Sequence, residues 1–221
     1  MSIQENLAHI KSSLPEKVTL VAVSKTKPIT DLIEAYNAGQ RVFGENKIQE
    51  MVDKYGDLPK DIEWHMIGHV QTNKIKYMAP FVSLVHGVDR FKLLKELNKE
   101  ALKNNRTIDC LLQIKIAEED SKFGMTEKEA EKILKSKEFS EFKNVCITGV
   151  MGMATYTDNQ AQIKQEFSHL KYTFEKLKEF NSSNCKLEIV SMGMSDDYPL
   201  AIECGSTMIR VGSRIFGERN Y

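Results

Sequence analysis

Eight short apolar runs, each separated from the next by a segment of helical periodicity, constrain this chain more than any other feature. They fall at residues 18–24, 41–43, 63–67, 81–85, 108–116, 145–150, 187–190 and 207–211. Most are apolar throughout, with frequent β-branched residues, which suits strands buried on both faces of a parallel sheet. Helices are expected over 2–14, 29–38, 46–55, 71–79 and 90–104, with Gly39 and Gly56 as stops and Leu93, Leu94, Leu97 and Ala101 sharing one face. The acidic loop from Glu118 to Gly124 leads to Thr126, whose Thr-x-x-Glu pattern is a capping box. Ile163, Phe167, Leu170, Phe174 and Leu177 then step by fours and threes along one helix, and a last one ends near Glu203.

This alternation implies a parallel sheet with helices outside it. Eight units imply a single (β/α)8 TIM-type barrel over residues 1–221, at the small end of the size range. A doubly wound open sheet is the runner-up. Only four residues follow Gly217, too few for a full eighth outer helix. The amino-terminal helix is the candidate to fill that place in the ring.

A barrel of this kind carries its site at the carboxyl ends of the strands. Here those ends are Ser24-Lys25, Gly44-Glu45-Asn46, His65 to His69, His86-Gly87, Gly149 to Met153, Ser191 to Ser195 and Arg210 to Ser213. Polar groups and glycines thus gather at one rim. Lys25 stands where the first strand ends, and Pro28 opens the helix that follows. Partial desolvation at such a place favours a neutral, nucleophilic amine fit for Schiff-base chemistry; a solvated loop lysine is the plain alternative.

The last two strand ends suggest a phosphate cradle. Ser195, ahead of Asp196 and Asp197, is placed to cap a helix; Gly212-Ser213 offers close backbone approach and a hydroxyl, and Arg210 a fixed positive charge. A simple cap and a simple turn are the alternatives. Amine and cradle in one mouth imply an aldehyde bearing a phosphate, with pyridoxal 5′-phosphate (PLP) the leading candidate. A phosphorylated sugar handled by a class I aldolase competes, with Glu45 the only obvious carboxylate for it. His65 and His69 have metal-pair spacing only on a helix, and Gly68 argues against one, so no metal is expected. His86 is expected to be structural or at the rim. Gly149-Val-Met-Gly152 does not match a dinucleotide fingerprint.

Lys plus Arg and Asp plus Glu each number 31, so nothing steers the chain to nucleic acid or an anionic membrane. Four cysteines with no C-x-x-C pair are expected to be free thiols in a reducing compartment. No stretch approaches the roughly 20 apolar residues of a membrane span, and no leader pattern opens the chain, so a cytoplasmic location is expected.

Val23-Ser-Lys25-Thr-Lys-Pro28, Phe43-Gly-Glu-Asn46, His65-Met-Ile-Gly68-His-Val-Gln71-Thr-Asn-Lys74, Gly149-Val-Met-Gly-Met153, Ser191-Met-Gly-Met-Ser195-Asp-Asp197 and Arg210-Val-Gly-Ser-Arg-Ile-Phe-Gly217 occur in that order. Together they resemble the pyridoxal phosphate homeostasis protein family, with Val70 where that family usually has Leu. The resemblance covers essentially the whole chain. It implies a barrel similar to the amino-terminal domain of alanine racemase, with PLP on Lys25 as an internal aldimine. It further implies Ser191, Met192, Ser195, Arg210, Gly212 and Ser213 around the cofactor, and Asn46 lining the same mouth. Ser195, Gly212 and Ser213 are the implied phosphate contacts.

The implied role is that of a carrier or regulator of PLP and amino-acid pools with no catalysis of its own. Its partners are PLP and, as candidates, PLP-dependent apoenzymes; monomer and weak dimer are both open. The competing reading is a PLP-dependent amino-acid racemase. That enzyme draws an opposing base from a second, β-rich domain, for which a chain ending at Tyr221 is expected to have no room. Within the barrel only His65 and Tyr156 offer themselves as substitutes.

Overall fold

Strand β1, Thr19–Val23, has three consecutive buried residues, as a strand covered on both faces must. In the computed structural model, which describes residues 2–119 and 123–218, seven more strands follow it. They are β2 Val42–Glu45, β3 Glu63–Met66, β4 Leu84–Val88, β5 Ile108–Gln113, β6 Val145–Met151, β7 Cys185–Ser191 and β8 Met208–Val211. All pairings are parallel and sequential, and β8 returns to β1 with Thr19 opposite Met208 and Ala22 opposite Val211. The sheet is therefore a closed barrel, as expected, and the open-sheet alternative is excluded. Closure leaves no strand edge unpaired.

Alternate residues of each strand serve two apolar layers. Val21, Leu84, Leu111, Met151 and Met208 fill the barrel interior. Ala22, Phe43, Trp64, Val85, Val150 and Ile209 face outward under the helices. Those helices are α1 Ile3–Ser13, α2 Ile29–Asn37, α3 Ile48–Asp57, α4 Ile75–Met78, α5 Phe91–Lys103, α6 Glu127–Leu134, α7 Lys137–Ser140, α8 Gln160–Leu177, α9 Tyr198–Glu203 and α10 Ser213–Phe216. The five stepped residues of α8 are all buried. Thr126 caps α6 through the full reciprocal box with Glu129.

The short α10 takes up the chain after β8, and α1 packs against both α10 and α2. Asn6 Nδ2 donates to Ile215 O at 3.0 Å, so the amino-terminal helix does close the outer ring. Several boundaries move. The strand expected over 81–85 is Leu84–Val88, which brings His86 and Gly87 into β4; Phe81 and Val82 instead donate to Met78 O at the end of α4. Gly56 lies inside α3, whose last turn runs on to Asp57. Asp120, Ser121 and Lys122 of the acidic loop lie outside the described residues.

The four cysteines are free thiols, Cys110 and Cys185 buried, Cys146 and Cys204 half-buried. Burial pushes the Cys185 thiol up to about 12. Among the described residues no helix is long and apolar enough to cross a membrane.

Candidate functional site

Beyond Val23 the chain leaves β1 through a tight turn, Ser24 to Lys27, and Lys25 is half-buried in it. Ser24 N still donates to Gly44 O at 3.1 Å, which keeps the turn against β2. Thr26 has φ +64°, a left-handed backbone that costs a β-branched residue roughly 1–2 kcal/mol. Its N–H donates to Glu50 Oε1 at 2.5 Å. Ser24 Oγ donates to Glu45 Oε1 at 2.6 Å, and Lys54 Nζ donates to Ser24 O at 2.7 Å. Lys27 is committed elsewhere, donating to the carbonyls of Phe216, Gly217 and Glu218 at 2.9, 3.1 and 2.9 Å. A cation is favoured at this place, the last turn of α10.

The loops after β7 and β8 meet beside that turn. Gly212 N donates to Ser195 Oγ at 3.3 Å. A Cβ on Gly212 would lie 3.2 Å from Val23 O, so β8 and β1 approach closely where both end. Ser213 is exposed and opens α10, where a helix leaves its first N–H groups without partners within it. Ser195 does not cap a helix, contrary to expectation. Asp197 precedes α9, and its Oδ1 accepts from Met194 N at 2.5 Å, folding the loop back on itself. Gly193, at φ +96°, permits this: a Cβ there would sit 2.6 Å from that of Ala201.

Arg210 is the largest departure from expectation. It is 4% exposed, and its guanidinium points into the barrel rather than to the cradle. Nη1 donates to Ser191 O at 3.0 Å and to Ser191 Oγ at 2.5 Å, and Nη2 to Gly152 O at 3.1 Å. Ser191 Oγ lies 3.1 Å from His86 Nδ1, and His86 Nε2 lies 3.1 Å from His65 Nδ1. All four residues are buried. The top layer of the barrel is thus one polar chain across β8, β7, β4 and β3. Period-two counting along β4 and β3 carried this signal, because His65, His86, Ser191 and Arg210 each fall on the inward parity. The displaced limits of β4 hid it.

Burial lowers Arg210 to about 10, which leaves it charged at neutral pH. It also holds His65 down to about 3, and His86, further opposed by His65 and Arg210, well below its ordinary value. Both rings are therefore neutral, and each has one donor and one acceptor nitrogen. The unfolded chain binds protons at about pH 6.5 and the folded chain only well below it. The pair thus contributes stability that is full above about pH 6.5 and is lost as pH falls below it, by up to about 1.4 kcal/mol per pH unit for each ring. Glu45 and Asp197, raised by burial, act with the opposite sign nearer their own ranges. We expect His86→Asn to flatten the loss of stability between pH 6.5 and 5, read from urea midpoints across pH; an unchanged slope would contradict the assignment.

The remaining residues scatter. Asn46 is half-buried just after β2, and a Cβ on Gly68 would lie 2.4 Å from Asn46 O, so two loops touch there. The Met192 side chain belongs to the outer apolar layer, which leaves only its main chain for the mouth. Tyr156 is 87% exposed. His69 pairs with Asp89 at 3.4 Å, apart from the His65–His86 contact. Glu45 faces α3, on the opposite parity of β2 from the barrel interior. A cavity of about 640 Å³ lined by Asp109, Cys146, Thr148 and Lys186 opens at the other end of the barrel.

Residues 1–220 match the alanine racemase N-terminal domain. The pyridoxal phosphate homeostasis protein of Pasteurella multocida is 38% identical, covering 100% of this chain and 99% of its own length. That of Escherichia coli K12 is 34% identical over 99% and 97%. PipY of Synechococcus elongatus, solved with PLP bound, superposes with a TM-score of 0.89 at 35% identity, covering 98% of this chain and 100% of that one. An alanine racemase of Clostridium difficile shares the fold at 14% identity, with a TM-score of 0.80 over 100% of this chain and 60% of its own.

Proposed function

Because this chain belongs to the pyridoxal phosphate homeostasis protein family, within the wider alanine racemase N-terminal domain family, we propose that it binds PLP at the carboxyl mouth of its barrel and serves PLP homeostasis. The observation that carries the reading is the meeting of the Lys25 turn with the Ser195–Gly212 contact across the β1–β8 seam. PLP supplies an aldehyde that condenses with a primary amine, with loss of water. Lys25 offers that amine. Ser213 and Ser195 offer hydroxyls and Ser213 a backbone N–H to the phosphate, beside the close backbone approach at Gly212, at the start of α10 where an anion is favoured. Arg210 supports this from below by fixing Ser191 and Gly152, and Ser191, Met192 and Asn46 line the same mouth. The whole chain, 1–221, acts as one PLP-binding unit in this reading.

The role we assign is storage and delivery in the cytoplasm, to PLP-dependent apoenzymes, without catalysis. A racemase needs a base opposite the lysine. His65 is buried and low in basicity and already shares its Nδ1 with His86, and Tyr156 projects into solvent. Glu45, the carboxylate an aldolase would use, lies behind β2. These placements favour a carrier.

The deciding experiment is a visible absorbance spectrum of the purified protein with added PLP, before and after borohydride. A band that reduction removes, with a pyridoxyl group mapped to Lys25, supports the reading; a protein that takes up no PLP sinks it. The same mapping tests the neighbouring lysine. Because Lys27 Nζ holds three carbonyls at 2.9–3.1 Å, it is expected to carry a minor share of adduct at most. A main adduct on Lys27 would reverse the choice.

A further inference from the structure

The turn that presents Lys25 is held from outside the barrel, by groups on the far side of β2 from the mouth. Lys54 of α3 donates to three acceptors: Ser24 O at 2.7 Å, Glu45 Oε1 at 2.8 Å and Glu50 Oε1 at 2.7 Å. Its three N–H bonds are thereby spent. Glu45 Oε1 also accepts from Ser24 Oγ, and Glu50 Oε1 from Thr26 N. Both neighbours of Lys25 are therefore tied to one ammonium, Ser24 directly and Thr26 through Glu50. Lys54 and Glu45 are almost fully buried, 6% and 0% exposed. Burying a lysine and a carboxylate is unfavourable unless each is fully bonded, and Glu45 Oε2 is buried with no partner, so hydrophobic residues of similar size would hold α3 to the barrel at least as well. The apolar alternative lacks donors and acceptors for the Ser24 and Thr26 backbone. Thr26 needs such an anchor, since its left-handed backbone is one a β-branched residue avoids.

We infer that Lys54, with Glu45 and Glu50, forms a positioning unit that fixes the entry of Lys25 into the mouth and so directs PLP to Lys25 over the chain's other lysines. The inference rests on the proposed PLP site and deepens it. These three residues touch no cofactor in this scheme. They act on it only through the conformation of residues 24–26.

Two variants test this. Glu50→Ala removes the acceptor of the Thr26 N–H, while Glu50→Gln keeps an oxygen there. Glu50 is partly exposed, so neither variant is expected to unfold the protein. The first measurement is amide exchange in the ligand-free protein. Glu50→Ala should speed exchange at Thr26 by about tenfold or more, with Glu50→Gln near wild type. The second is borohydride trapping with peptide mapping. Glu50→Ala should lower the share of pyridoxyl group on Lys25 and raise it on other lysines, and Glu50→Gln should restore the wild-type distribution. Unchanged Thr26 exchange in Glu50→Ala would overturn the inference. So would faster exchange with all adduct still on Lys25 at wild-type affinity. Wild-type protein that takes up no PLP would instead sink the site itself, and is recognised because that failure precedes any difference between variants.

Discussion

Lys25→Ala is expected to abolish the reducible PLP adduct and to weaken PLP binding by about 100-fold or more, roughly 3 kcal/mol. The phosphate contacts proposed for Ser195, Gly212 and Ser213 would remain, so some reversible binding should persist without the covalent link. The turn itself should survive. Bonds that hold it run from Ser24 and Thr26 to Glu45, Glu50 and Lys54, and from Ser24 N to Gly44 O. Far-UV circular dichroism and the urea midpoint are the controls. The mapping matters as much as the spectrum, because PLP condenses with accessible lysines in general and the chain is rich in them. Pyridoxyl group trapped at wild-type yield on another lysine of the variant would refute the assignment.

Arg210→Gln is expected to destabilise the ligand-free barrel by about 3 kcal/mol. On sequence alone the arginine reads as a charge for the phosphate, a role in which its loss would weaken ligand binding and spare the fold. Its position argues otherwise. It donates to Ser191 O, Ser191 Oγ and Gly152 O inside the barrel, and glutamine is too short to reach all three. Buried acceptors left without donors cost about 1–3 kcal/mol each when nothing replaces the bond. For a chain of this size the melting temperature should fall by roughly 6–12 °C. The measurement is urea or thermal unfolding without PLP. Wild-type stability with weakened PLP binding would return Arg210 to the cradle.

The contrast between Arg210 and Ser195 shows what a sequence can and cannot disclose here. Strand alternation and helix periodicity are local, so the barrel, the α8 stripe and the rim position of Lys25 were legible from neighbours in the chain. Ser195 and Gly212 come into contact because a barrel brings adjacent strand ends together by rule. The direction of Arg210 escapes that reading because it depends on strand parity, which turns the guanidinium into the barrel onto Ser191 and Gly152. A shifted strand limit hides His86: with β4 expected to end at Val85, it becomes a rim residue instead of the middle link between His65 and Ser191. The contact between Glu45 and Lys54 escapes the sequence for another reason. Their meeting needs α3 to start at Ile48, which turns Lys54 against the outer side of β2 onto the Ser24 carbonyl, and no short-range pattern carries that angle.

The seam between β1 and β8 also has a consequence in time. Lys27 and the carbonyl of Phe216 are separated by 189 positions, and the Lys25 turn meets the Ser195–Gly212 loops across the same seam. Contacts of such long sequence separation form only after the intervening chain has ordered. During synthesis the lysine precedes the groups expected to hold the phosphate by well over a hundred residues. A growing chain thus exposes an amine long before it has anything to retain a phosphorylated aldehyde, and cofactor retention becomes a report that the barrel has closed.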